Sequence, residues 1–200
     1  MEITVARYAG FCFGVERAVN TAYETAEKNK GKKLFLIGEL IHNPQITEEL
    51  AARGAEVIEE NELDRVLEEN CENAVFVIRA HGVRRSVIDK INARGGAVVD
   101  CTCHFVAKIH RIVEQNTGDG TFTLLFGTQG HPEIDGIVSR IKGEYFIFDS
   151  FEKLKSAYDE GKLNSIVSKQ CIMVSQTTQN QKEYKKSQEY FKNLCTKGKI

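Results

Sequence analysis

Seven side chains have the types and spacing to do chemistry together: Cys12, His42, His81, Cys103, His131, Glu133 and Thr177. Cys12 stands in Gly10-Phe11-Cys12-Phe13-Gly14 and Cys103 in Asp100-Cys101-Thr102-Cys103-His104, each just before a helical pattern. A helix N-terminus favours the thiolate, the form of cysteine that binds metal or attacks. A single cysteine reads as a small buried hydrophobe, but two in matched positions read as paired metal ligands. They do not complete a site, because zinc or an iron-sulfur cluster takes three or four ligands. His42, His81 and His131 can each offer an imidazole N–H to phosphate oxygens, and helix N-termini after Pro44, Gly82 and Pro132 would add backbone donors. Glu133 is either a proton donor for general-acid catalysis or a first-turn glutamate that stabilises the helix dipole. Thr177 is either a hydroxyl relay or a turn-forming threonine.

The elements that position these groups alternate, strand then helix, which predicts an α/β protein with parallel sheets. Strands are expected at residues 3–6, 33–37, 55–58, 74–78, 97–99, 122–126, 145–148 and 172–174. Helices are expected at residues 15–26, 44–52, 60–67, 83–94, 105–117, 132–141, 151–158 and 182–194. Each group with chemistry falls where a strand ends. In parallel α/β sheets that edge is where ligands bind.

The pattern also repeats. Gly38-Glu39-Leu40-Ile41-His42-Asn43-Pro44 and Gly127-Thr128-Gln129-Gly130-His131-Pro132 each follow an apolar strand and each open a helix with proline. Cys12 and Cys103 are 91 residues apart, His42 and His131 are 89, and His81 and Thr177 are 96. A near-constant spacing of about 90 residues implies two similar α/β units, at 1–103 and 104–200, too long a period for a solenoid. Two such units facing each other would bring the groups round one cavity.

Other candidates fit this scheme less well. The spacing of Cys101 and Cys103 is read as separating their side chains, with Cys101 packing in the core. Cys71 and Cys171 read as structural. Cys195 lies at the end of a helix, whereas the repeat puts the equivalent cysteine after a strand that would begin at Lys199-Ile200. His104 and His110 fall within a helix and lack repeat partners.

Composition excludes some functions. Of 200 residues, 27 are Lys or Arg and 28 are Asp or Glu, so the net charge is −1 and no global field recruits nucleic acid or an anionic membrane. Any anionic ligand must be held by local groups. No apolar run reaches the roughly 18 residues of a membrane span, and the N-terminus lacks a signal peptide's pattern. The chain reads as cytoplasmic, where six cysteines are expected as thiols or ligands, not disulfides.

Six ordered motifs together carry a family resemblance. Gly10-Phe11-Cys12-Phe13-Gly14-Val15, Ile41-His42-Asn43-Pro44-Gln45, Arg79-Ala80-His81-Gly82-Val83, Asp100-Cys101-Thr102-Cys103, Gly130-His131-Pro132-Glu133 and Gln176-Thr177-Thr178 resemble the successive motifs of the 4-hydroxy-3-methylbut-2-enyl diphosphate reductases of the non-mevalonate isoprenoid pathway. The resemblance implies a trefoil of three α/β units, of which this chain matches two, round a 4Fe-4S cluster held by three cysteines, with the fourth iron open to the substrate's hydroxyl oxygen. It makes Cys12 and Cys103 cluster ligands, and His42, His81 and His131 substrate ligands. Glu133 becomes the proton donor and Thr177 its hydroxyl partner. It also implies an allylic diphosphate substrate, ferredoxin or flavodoxin as electron donor, and isopentenyl and dimethylallyl diphosphate as products.

Where the family usually has Ala-Thr-Cys-Pro, this chain has Cys101-Thr102-Cys103-His104. The third cysteine and third unit would lie past Ile200, and residues 1–13 would pair with that unit. The expectation is therefore an incomplete, inactive portion of the enzyme. Two other readings remain: another trefoil iron-sulfur enzyme resembling quinolinate synthase, which would take dicarboxylates, and a non-enzymatic zinc or thiol module using Cys101 and Cys103.

Overall fold

The computed structural model describes residues 3–4 and 9–196. Every strand pairing in it is parallel. The chain forms two compact units, one of Met1–Gly82 with Val87–His104, the other of Val83–Ser86 with Phe105–Ile200.

The first unit runs α1 (Phe13–Lys28), β1 (Lys33–Ile37), α2 (Pro44–Ala52), β2 (Ala55–Ile58), α3 (Leu63–Asn70), β3 (Ala74–Ile78), α4 (Arg85–Ala93, whose first residues belong to the other unit) and β4 (Ala97–Asp100). Its sheet has the order β2-β1-β3-β4. All five residues of β3 are buried, as expected for a central strand covered by helices on both faces. Alternation along the strands sorts the core. Leu34, Leu36, Val75 and Val77 pack with Ala18, Val19, Ala22 and Ala26 of α1, the helical spacing that presents one apolar stripe. On the intervening positions, Phe35 and Phe76 stack with ring centroids 5.6 Å apart.

The second unit runs α5 (His104–Asn116, counted from Phe105), β5 (Thr121–Phe126), α6 (Pro132–Val138), β6 (Glu144–Phe148), α7 (Phe151–Asp159), β7 (Gln170–Ser175) and α8 (Gln181–Thr196). Its sheet order is β6-β5-β7, the arrangement of β2-β1-β3 repeated. All six residues of β5 are buried, and its four apolar ones divide between two cores. Phe122, Leu124 and Phe126 join Phe148, Leu154 and Ala157, whereas Leu125 joins Ile134, Ile137, Val174 and Val113. The connection from α7 to β7 contains a 3-10 turn at Asn164–Ser168, longer than the one from α3 to β3. That added length explains why His81 and Thr177 are 96 residues apart when the other pairs are nearer 90.

Several boundaries differ from the sequence expectation. Ile3 and Thr4 form no strand, and the rest of the expected first strand, Val5 and Ala6, lies outside the described residues, as do Lys199 and Ile200. Helix α3 starts at Leu63, not Glu60, because Glu62 turns back so that its carboxylate accepts the Glu59 N–H at 3.0 Å. Helix α4 starts at Arg85, not Val83, and α6 stops at Val138, short of Ile141.

Gly127, at the end of β5, donates its N–H to the Phe148 carbonyl at 2.8 Å. A Cβ at this position would lie 2.2 Å from Ile134 Cδ1 and 2.9 Å from its Cγ1, and Ile134 is fully buried. Gly127→Ala is expected to cost about 1–3 kcal/mol by overpacking, read as a lowered urea midpoint at unchanged slope. A loss below about 0.5 kcal/mol would mean that Ile134 has another rotamer to go to.

Candidate functional site

The first unit gathers Cys12, His42, His81 and Cys103. Cys12 is the exposed residue immediately before α1; its backbone is extended and its side chain makes no capping hydrogen bond. Cys103, half-buried, stands immediately before α5. Gly14, two residues after Cys12, packs on Cys103: a Cβ there would lie 2.5 Å from Cys103 Sγ, so the first turn of α1 presses on that sulfur. The residues after the two cysteines, Phe13 and His104, pack edge to face with ring centroids 5.6 Å apart.

Backbone bonds continue past the strand ends and fix the loops. Ala80 donates its N–H to the Leu40 carbonyl at 2.9 Å and accepts the Cys103 N–H at 2.8 Å. One residue thus ties together the loops that carry His42, His81 and Cys103. The His42 and His81 rings lie 4.8 Å apart, tilted by 38°.

Cys101 is fully buried and belongs to the core, as expected. The reason is a turn, because in an unbroken strand residues two apart share a face. Asp100 Oδ1 accepts the Thr102 N–H at 2.9 Å and the Thr102 hydroxyl at 2.5 Å, an Asx turn that ends strand alternation. Burial pushes the Cys101 thiol up to about 12, with Asp100 adding to the rise and Arg17 opposing it. That thiol is not a neutral-pH nucleophile. Cys171, half-buried on β7, is pushed up to about 11, mainly by burial. Among the described residues no three cysteine, histidine or carboxylate side chains are grouped to hold a metal.

The second unit holds His131, Glu133 and Thr177. His131 caps α6, its Nδ1 accepting the Glu133 N–H at 3.1 Å. An accepting Nδ1 carries no proton, so the ring offers Nε2–H. Glu133 is 1 % exposed. The Thr177 N–H donates to its Oε1 at 2.7 Å and the Thr177 hydroxyl to its Oε2 at 2.9 Å. A backbone N–H cannot accept, so a proton on this carboxyl belongs on Oε2, where the Thr177 hydroxyl can turn to receive it.

Some of the backbone donors expected to face an anion are already engaged. Asn43 takes the first free amides of α2, Gln45 N at 3.0 Å and Ile46 N at 3.4 Å. His131 takes one of α6, and Arg85 N goes to Ser139 Oγ at 2.9 Å.

Sequence reasoning missed three positioning groups. Gly14 sits in a motif that was singled out, but its contact is long-range. Arg17 reads as an exposed helix charge, yet its Nη2 donates to the Thr102 carbonyl. Gln176, 4 % exposed, accepts the Thr128 N–H at 3.1 Å and donates to Thr178 Oγ1 at 2.9 Å. Only its place in the repeat, opposite Ala80, could have marked it.

Fold and site together define a class: a duplicated parallel α/β protein whose strand ends carry thiols and imidazoles in one unit and a buried acid with its hydroxyl partner in the other. Residues 3–200 match the family described as LytB protein, and the chain belongs to that family. Two bacterial relatives are named 4-hydroxy-3-methylbut-2-enyl diphosphate reductase. That of Thermoanaerobacter sp. (strain X514) is 39% identical over 192 residues, 96% of this chain and 62% of the relative. That of Clostridioides difficile (strain 630) is 33% identical over 184 residues, 92% of this chain and 61% of the relative. The chain therefore spans about three fifths of their length. Among solved structures, that of (E)-4-hydroxy-3-methyl-but-2-enyl diphosphate reductase, the terminal enzyme of the non-mevalonate pathway, superposes with a TM-score of 0.74 at 30% identity, covering 96% of this chain and 63% of that one. The Plasmodium falciparum reductase gives 0.75 at 23% identity, covering 94% and 55%, a likeness of fold alone.

Burial raises the Glu133 carboxyl above its ordinary 4.5, against the two Thr177 bonds that lower it. The folded state therefore keeps this proton to higher pH than the unfolded chain does. Its contribution to stability is full below the ordinary value and is lost as pH rises through the raised one. Glu133→Gln removes the titration, so wild type should lose stability relative to the variant as pH rises from about 4 to 8, measured by urea unfolding. A constant difference would show that Glu133 titrates alike folded and unfolded.

Proposed function

We propose that this chain contributes two α/β units to a reductase that removes the hydroxyl of (E)-4-hydroxy-3-methylbut-2-enyl diphosphate. The reaction takes up two electrons and two protons, breaks one C–O bond and releases water with isopentenyl or dimethylallyl diphosphate. The observation that carries the reading is the Glu133–Thr177 pair, a buried carboxyl with one protonatable oxygen at a strand end.

Hydroxide is a poor leaving group, so the departing oxygen needs a proton. Glu133 Oε2 supplies it, and the Thr177 hydroxyl carries it from a buried atom to an exposed one. His42, His81 and His131 take the diphosphate with imidazole N–H groups. Capping by Nδ1 fixes His131 as an Nε2–H donor before substrate arrives, so its orientation need not be reorganised during the reaction.

A 4Fe-4S cluster fits the thiols in part. Neither Cys12 nor Cys103 is buried, both precede helices, and Gly14 beside Cys12 leaves room for the Cys103 sulfur. They would hold two of its corners, and the third thiolate would come from outside the described residues. When bound, the cluster supplies the electrons and an electrophilic iron; ferredoxin or flavodoxin is the proposed electron source. The compartment proposed for this chemistry is the cytoplasm.

The test is a titration of isotopically labelled protein with the allylic diphosphate, following the histidine ring signals, beside turnover with a chemical reductant under anaerobic iron and sulfide loading. His42, His81 and His131 should shift together, and Cys12→Ser should lose the visible absorption of the loaded protein. Where turnover is measurable, Glu133→Gln should lower kcat by about a hundredfold, the usual size of a general-acid contribution. Rings that respond to dicarboxylates and ignore the diphosphate would overturn the assignment in favour of a quinolinate-synthase-like enzyme.

A further inference from the structure

The reading of Cys12 and Cys103 as joint ligands leaves open what sets the distance between their sulfurs. Cys12 moves with α1, while Cys103 ends a loop 91 residues later. The Asp100 turn and the bond from Cys103 N to Ala80 O hold the loop to the sheet, while Gly14 on Cys103 Sγ and Phe13 on the His104 ring pack it against α1.

Arg17 supplies a hydrogen-bonded tie to the helix. Its guanidinium Nη2 donates to the carbonyl of Thr102, the residue before Cys103. Arg17 is three residues beyond Gly14, on the same face of α1, and Gly14 is where the helix touches Cys103 Sγ. The Arg17 Nε is buried and has no hydrogen-bond partner among the described residues. A guanidinium that met only structural needs would use that donor. One held by a single carbonyl, with a further donor buried beside the thiol loop, is suited to a particular position.

We propose that Arg17 is a positioning residue: by clamping the Thr102 carbonyl to α1 it sets the Cys12–Cys103 sulfur separation for joint ligation. The clamp acts through the planar fork of the guanidinium, so positive charge alone does not replace it. A lysine ammonium on a flexible stem cannot hold the same geometry.

This inference rests on the two thiols forming one ligand pair, and its test separates the two ideas. Phenylarsine oxide, a trivalent arsenical, binds tightly only where two thiols can bridge it. It would be titrated into the reduced chain, the Cys12→Ser variant, Arg17→Met and Arg17→Lys, with thermal unfolding of each as control. Tight capture by the native chain that Cys12→Ser removes establishes the pair. Both Arg17 variants should then capture about tenfold more weakly, the size of one charge-assisted hydrogen bond, with Arg17→Lys melting as the native chain does.

Capture within about twofold of native in both variants would overturn the proposal. So would capture that Arg17→Lys restores in step with the melting midpoint, because the role would then be charge and stability. If Arg17→Met does not fold, Arg17→Lys decides alone. A native chain whose capture ignores Cys12→Ser has no pair to position, which overturns the ligand assignment itself and Arg17's role with it.

Discussion

The site depends on hydrogen bonding that does not stop where the strands do. In most parallel sheets the chain leaves the ladder at the strand's end, and the loop beyond is held by its own turn chemistry. Here Ala80 lies two residues past β3 and still bonds on both sides, donating to Leu40 and accepting from Cys103. In the second unit Gln176 N bonds back to Phe126 O, and its side chain then ties down Thr128. Loops carrying histidines and a thiol inherit the rigidity of the sheet. That rigidity matters because positioning errors of about an ångström are costly both to a metal site and to proton transfer.

The same constraint explains how a carboxyl can be buried beside β7. An isolated carboxylate in such surroundings would pay a large desolvation cost. Thr177 offsets part of it with two bonds to different oxygens, and the remainder is expressed as an upward displacement of the carboxyl's protonation. The bonds that make burial tolerable and the burial that raises the carboxyl's protonation come from one arrangement.

Much of this was legible in the sequence. Strands at 33–37, 55–58 and 74–78 could be bounded to the residue, because short, largely apolar runs bounded by glycine or polar residues leave little choice. The repeat was legible too, since glycine, histidine and proline recur at matched strand ends. What failed were features set by a single side-chain bond. Nothing in the pattern shows that Asn43 caps its helix and so removes amides from an anion's reach, or that Asp100 turns the chain and sends Cys101 inward. Arg17 was invisible for a related reason: a charged residue on an amphipathic helix reads as solvated, and its partner is 85 residues away.

Duplication then shows what the scaffold fixes and what it leaves free. Both units keep a glycine after the first strand that donates to the end of the neighbouring one, Gly38 to Ile58 and Gly127 to Phe148, each at 2.8 Å. Both then place a histidine and a proline before the next helix. The group after the third strand differs: His81 in the first unit, and in the second Thr177, whose bonds go to an acid. In the first unit the residue after Pro44 is Gln45, whose backbone N–H bonds to Asn43; in the second the residue after Pro132 is Glu133, buried and bonded to Thr177. One backbone frame thus presents a pair of neighbouring imidazoles in one copy and an acid with its hydroxyl partner in the other. Only a few side chains at equivalent strand ends had to change, because the frame that aims them is held by main-chain bonds that do not depend on side-chain identity.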